Sequence, residues 1–146
     1  MKEKEVIIYH NPDCGTSRNV LKIIQDAGYS PIVIEYLKDG WTRAQLLGLF
    51  AAANLTPQQA LRTTKSPAAE LGLLADNVSD QAILEAMIKH PILVNRPIVC
   101  SPKGVRLCRP SEVVLDLLDS WPKGPYYKED SEQILNADGT RTSSVQ

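Results

Sequence analysis

Hydrophobic positions along the chain change period several times, and each change marks a predicted element. Glu5–Tyr9 (EVIIY) is a β-branched run that predicts a buried strand. The period then becomes helical, with Val20, Leu21, Ile23 and Ile24 on one face, Thr16 or Ser17 as the cap and Gly28 as the stop. Ile32–Tyr36 (IVIEY) returns to a strand. Strand, helix and strand in about thirty residues make a βαβ unit, so these two strands are predicted to be parallel.

A helical block over about residues 42–90 follows. Thr42-Arg-Ala-Gln45 is a capping box ahead of LLGLFAAA, and Thr56-Pro57-Gln-Gln59 repeats it with proline at the first helical position. Ala68–Leu74 has no decisive period, whereas Ser79–Lys89 sets Ile83, Leu84, Met87 and Ile88 at helical spacing. Two strands are predicted next, Leu93–Asn95 with Ile98–Ser101, then Val105–Leu107. Ser101-Pro102-Lys103-Gly104 has proline and glycine where a type I turn with a bulge needs them. Ser111–Leu118 (SEVVLDLL) predicts a last amphipathic helix; beyond Trp121 the tail is polar, and NADGTRTSS (136–144) is predicted to be mobile. This order predicts an α/β domain over residues 1–121, a four-stranded mixed sheet flanked by helices, with thioredoxin-like connectivity and a helical insertion. Residues 122–146 form a C-terminal extension. The sequence shows no internal repeat and no domain linker.

Bulk properties narrow the function. The 146 residues are 43% apolar with a formal net charge of −1, without the basic excess of a nucleic-acid binder. The four-residue aliphatic run in MKEKEVIIYH is too short for a signal-peptide core, and no stretch approaches membrane-spanning length. Cysteines at 14, 100 and 108 make an odd count, unlike a secreted disulfide framework. The expectation is a soluble, cytoplasmic protein with free thiols, no membrane contact and no nucleic-acid partner.

The chemistry concentrates in YHNPDCGTSRN, residues 9–19. Cys14 lies between a strand and a helix, where unpaired N–H groups and the helix dipole stabilise an anion, here the nucleophilic thiolate. Gly15 allows close backbone approach, Thr16 and Ser17 offer hydroxyls, and His10 can add positive charge; Asp13 opposes ionisation unless it turns to solvent. Ser17 stands where a dithiol motif would have its second sulfur, so Cys14 cannot close a local redox disulfide. Val20 replaces the arginine of a C-x5-R loop, which excludes the tyrosine-phosphatase scaffold.

Hairpin arithmetic locates the charges. With Pro102–Lys103 as the loop, or with Gly104 included, Cys100 faces Val105 or Arg106 and Cys108 faces Pro97 or Ile98, so the two sulfurs do not meet. Both are read as packing cysteines. Arg96 falls opposite Arg109, or one position off, at the open end. Facing like charges repel, and an anion held between two guanidinium forks relieves this. Arg96–Pro97, at the start of a strand, is a candidate cis peptide. Arg62 carries no local signal of its own.

YHNPDCGTSRN, LR at 61–62, HPILVNRPIV and RLCRPSEVVLDLL closely resemble the glutaredoxin- and glutathione-dependent arsenate reductases, in register from about Val6 to Trp121. The resemblance implies a thioredoxin-like fold with a helical insertion and a cis-proline after Arg96. It implies Cys14 as nucleophile, His10 lowering its pKa, and Arg62, Arg96 and Arg109 as oxyanion ligands beside the Gly15, Thr16 and Ser17 loop. Cys108 occupies a family cysteine that turnover does not require; Cys100 replaces a usually aliphatic residue. Arsenate, glutathione as co-substrate and glutaredoxin are the implied partners, with no metal or bound cofactor. A thioredoxin-like regulator of RNA polymerase is the first rival, disfavoured by the absent second cysteine and the three arginines. A thiol enzyme for another substrate is the second.

Overall fold

The structure is a computed structural model that describes residues 5–142. Strand β1 (Ile7–His10) runs parallel to β2 (Ile32–Glu35), joined through helix α1 (Gly15–Asp26), as the βαβ pattern predicts. A one-turn helix α2 (Tyr36–Asp39) leads into α3 (Arg43–Ala53) and, after a long irregular passage, α4 (Asp80–Lys89). Strands β3 (Ile98–Ser101) and β4 (Gly104–Leu107) complete a sheet of order β2-β1-β3-β4, with β3 antiparallel to both neighbours. This is the predicted four-stranded mixed sheet in a thioredoxin-like arrangement.

Side-chain alternation gives each sheet face its own core. Val6, Ile8, Val99 and Cys108 point toward α1, where Val20, Ile23 and Ile24 are buried. Tyr9, Ile98, Cys100, Val105 and Leu107 point the other way, toward Leu46 and Phe50 of α3 and Ile83, Leu84 and Met87 of α4. The helical insertion is therefore the second cover of the sheet. Cys100 and Cys108 consequently lie on opposite faces, and both thiols are free, as the hairpin arithmetic required. The register is that of the two-residue loop, Cys100 opposite Val105 and Ser101 opposite Gly104, with no bulge in the pairing.

Several local expectations change. The first helix begins one or two residues early, with Cys14 itself at the N-cap, so neither Thr16 nor Ser17 caps it. The Thr42–Gln45 capping box is complete. The second box also forms, Thr56 N–H donating to Gln59 Oε1 and Gln59 N–H to Thr56 Oγ1. It starts only one turn, because Leu61 immediately pairs with Val94 in an isolated bridge. Of the strand predicted over Leu93–Asn95, Leu93 ends a 3-10 turn (Pro91–Leu93) and only Val94 pairs, in an isolated bridge, while Ser111–Leu117 is 3-10 throughout. In the C-terminal extension, strands β5 (Tyr126–Tyr127) and β6 (Gln133–Leu135) pair, and Ile134 and Leu135 are buried in the α1 core. The stretch predicted to be mobile follows them from Asn136, and its Ser143 and Ser144 lie outside the described residues.

Candidate active site

The loop between β1 and α1 is built by its own backbone and polar side chains. Asn11 Oδ1 accepts from Asp13 N–H (2.9 Å), and Asn11 C=O accepts from Cys14 N–H (3.1 Å). These bonds fold Asn-Pro-Asp-Cys into a tight turn that delivers Cys14 to the helix N-terminus. Asn11 is buried, and its role was visible in sequence only as an Asn-Pro turn signal.

Cys14 is 7% exposed. Burial pushes its thiol up, but donors outweigh burial: the backbone N–H of Ser17, the Arg96 charge, the N–H of Thr16 and a hydrogen bond from Arg109 hold the pKa below its ordinary value. Arg109 Nη1 donates to Cys14 Sγ at 3.8 Å and to Arg96 C=O at 3.2 Å. Asp13 is exposed to solvent, the arrangement in which its charge opposes the thiolate least.

Ser17 and His10 form a buried hydrogen-bonded pair across the loop. Ser17 Oγ lies 2.6 Å from His10 Nδ1 and accepts from Asn11 N–H at 3.0 Å, all buried. Its hydroxyl is spent on the loop, and its backbone N–H serves the sulfur. Burial first lowers the His10 pKa, with Glu35 opposing and Arg18 adding, which favours the uncharged ring. Its hydrogen-bonded neighbour Ser17 is the residue whose backbone N–H acts on Cys14. Thr16 contributes its N–H to the sulfur, while its carbonyl accepts from Ser111 Oγ (3.4 Å), which ties the helix start to the segment after Arg109. Gly15 has side-chain neighbours only, with Arg18 and Glu129 nearest to where a Cβ would stand.

Three arginines converge here from three segments. Arg96 precedes Pro97 through a cis peptide, as the sequence suggested; its Nη1 donates to Asn95 Oδ1 at 3.2 Å. Arg109, two positions past β4, lies opposite Arg96 in the continued two-residue register. Arg62 is placed by the Leu61–Val94 bridge, with its N–H on Leu93 C=O at 2.7 Å. Burial and the Arg96 charge pull its pKa down, while the Cys14 thiolate pulls it up, so the two groups share one electrostatic field. The insertion thus supplies a cation that no local pattern announced.

Other candidates stand apart. Cys108 is closed in the α1 core, where burial raises its thiol to about 12; burial also raises Cys100. A groove between Leu71, Leu73 and α4 shares no residue with the Cys14 site. Among the described residues no group of three or more His, Cys, Asp or Glu is placed to hold a metal ion, and no helix is long and apolar enough to cross a membrane.

A mixed thioredoxin-like sheet carries a single cysteine at a helix N-cap beside converging arginines, an arrangement suited to a thiolate and an anion. The chain belongs to the ArsC family, whose model matches residues 9–117. It is 71% identical to an arsenate reductase of Synechocystis sp. over 97% of this chain and 98% of that protein. It is 46% identical to the arsenate reductase of Escherichia coli strain K12 over 93% and 96% of the two. Among solved structures it is similar to the arsenate reductase from Vibrio cholerae, with a TM-score of 0.73 and 37% identity over 77% of this chain and 97% of that one.

Proposed function

We propose that this protein reduces arsenate to arsenite through a Cys14–arsenic adduct, with glutathione and glutaredoxin as the electron donors. The observation that carries the reading is the Arg109 guanidinium on Cys14 Sγ, at a helix N-cap where Arg96 and Arg62 share the field. The names of its ArsC-family relatives agree with arsenate as the substrate. Guanidinium forks stay charged and bind tetrahedral oxyanions bidentately.

The thiolate attacks arsenic(V), and one arsenate oxygen leaves as water after taking up protons, giving a Cys14 S–As(V) adduct. A glutathione thiol attacks next, and a glutaredoxin thiol resolves the mixed species. Arsenic gains two electrons and leaves as arsenite, the two external sulfurs become a disulfide, and Cys14 returns as thiolate. Arsenate and two thiols thus yield arsenite, one disulfide and one water. One cysteine is enough because the other two sulfurs come from outside, which accounts for Ser17 in place of a resolving cysteine. Phosphate has the same shape and competes for the site, but thiols do not reduce phosphorus, so selectivity lies in the chemistry. No resident metal or organic cofactor enters this scheme, and a cytoplasmic location, where thiols stay reduced, suits it.

The test is arsenate-dependent NADPH oxidation coupled through glutathione, glutathione reductase and glutaredoxin. Wild type turns over and Cys14→Ser does not; retained turnover in the variant would refute the nucleophile assignment. Omitting glutaredoxin should stop the wild-type reaction, and unchanged turnover without it would refute the donor assignment.

A further inference from the structure

Two buried polar atoms among the described residues lack a hydrogen-bond partner: the Tyr36 hydroxyl and Arg96 Nε. A buried donor left unpaired costs more than a formed bond returns, so two such atoms in one region call for a reason. Tyr36 is 1% exposed, and its ring stacks on Trp41 with centroids 5.1 Å apart. It directly follows Glu35, which pairs with His10 at the end of β1. Tyr36 is therefore level with the start of the Cys14 loop, at the carboxyl end of the parallel pair, where α/β folds place their ligands. Arg96 and Arg62 reach the same region, and both act electrostatically on the hydroxyl, as Cys14 does. The Asn11 side chain stands beside it without the geometry of a full hydrogen bond.

We propose that the Tyr36 hydroxyl donates a hydrogen bond to an oxygen of the anion bound at Cys14, with Arg96 Nε as its companion donor. This rests on the oxyanion reading of the site and adds to it a neutral donor that carries no charge of its own. The hydroxyl keeps its proton throughout the working range, since burial raises its pKa to about 12 against the lowering by Arg96 and Arg62. A neutral donor matters beside three cations, because it contributes direction to the anion without adding repulsion among the arginines.

The experiment uses Tyr36→Phe, which keeps the ring and its stack on Trp41 and deletes only the unpartnered oxygen. Cys14 alkylation by iodoacetamide is followed with and without inorganic phosphate, sulfate and arsenate, alongside steady-state arsenate reduction. Loss of one hydrogen bond to a charged ligand predicts about a tenfold rise in the anion concentration needed for half-protection. The arsenate KM should rise similarly, while the alkylation rate without anion stays at that of wild type and the thermal midpoint at or above it. A purely structural tyrosine would leave protection and KM within twofold of wild type, and that result overturns the proposal. A changed alkylation rate without anion overturns it too, by placing the effect on the thiol. If Tyr36→Phe weakens phosphate protection but wild type does not reduce arsenate, the Tyr36 assignment stands and the substrate reading falls. If no oxyanion protects wild type, both fall.

Discussion

Cys14 and Cys108 are both buried cysteines with an arginine close in sequence or space, yet the protein treats them oppositely. Cys14 has a helix N-terminus beneath it and the Arg109 guanidinium upon it, and its thiol pKa is lowered. Cys108 is wholly enclosed by Val20, Val99, Leu115 and their neighbours, with Sγ facing only the Arg106 carbonyl at 3.7 Å, and its pKa rises to about 12. Burial alone pushes both thiols up. What separates them is whether directed donors accompany the burial, so reactivity here belongs to the donor set rather than to exposure.

The strongest way to break this contrast is to remove the donor that touches the sulfur. Arg109→Leu should cut kcat/KM for arsenate about 100-fold, the typical cost of deleting one donor from an oxyanion site. It should also raise the Cys14 alkylation midpoint, because the Arg109 hydrogen bond is one of the influences lowering it. The sign follows from the thiolate being the reactive form. A depressed pKa keeps wild type reactive below the value of about 8.5 for free cysteine, and reactivity falls as pH drops through the folded-state pKa. An Arg109→Leu midpoint equal to that of wild type would place the depression in the backbone N–H groups and the Arg96 charge.

Ser17→Ala sharpens the same point from the other side. The backbone N–H that faces the sulfur remains, so the alkylation midpoint should move less than in Arg109→Leu. The buried His10 Nδ1 and Asn11 N–H lose their shared partner, which predicts a stability loss of about 2 kcal/mol in urea unfolding. A midpoint shift exceeding that of Arg109→Leu would mean that the His10–Ser17 pair governs the thiol directly.

The two halves of the site differed in how far the sequence disclosed them. The Cys14 loop was legible because its determinants are local: a β-branched run, a turn signal, a glycine and an amphipathic helix within twenty residues. The Arg96–Arg109 pairing was legible too, since hairpin register is arithmetic once the turn is placed. Arg62 was not, because a capping box announced a helix where the Leu61–Val94 bridge prevails after one turn. Only the resemblance to a family pointed to it. Tyr36 was missed for a similar reason: it reads as the last residue of a strand, and nothing local shows that its hydroxyl is left unpartnered in the core. The β5–β6 pair was not legible either, because the tail is polar overall and only Ile134 and Leu135 carry its burial.

The smallest expected effects test the passive side of the contrast. Cys108→Ala removes a sulfur from a fully enclosed position and should cost on the order of one buried methyl group, about 1 kcal/mol. Cys100→Ala, half-buried on the opposite sheet face beside Tyr9, should cost less. Both variants should reduce arsenate at wild-type rates, because the two thiols face different cores and neither side chain is among the groups that act on Cys14. Urea unfolding and the coupled assay on the same preparations check both halves. A large loss of turnover in either variant, with stability intact, would mean that a second sulfur of this chain takes part in resolving the adduct. That would remove the reason offered for serine at position 17, so the weakest predicted effects bear directly on the electron-donor assignment.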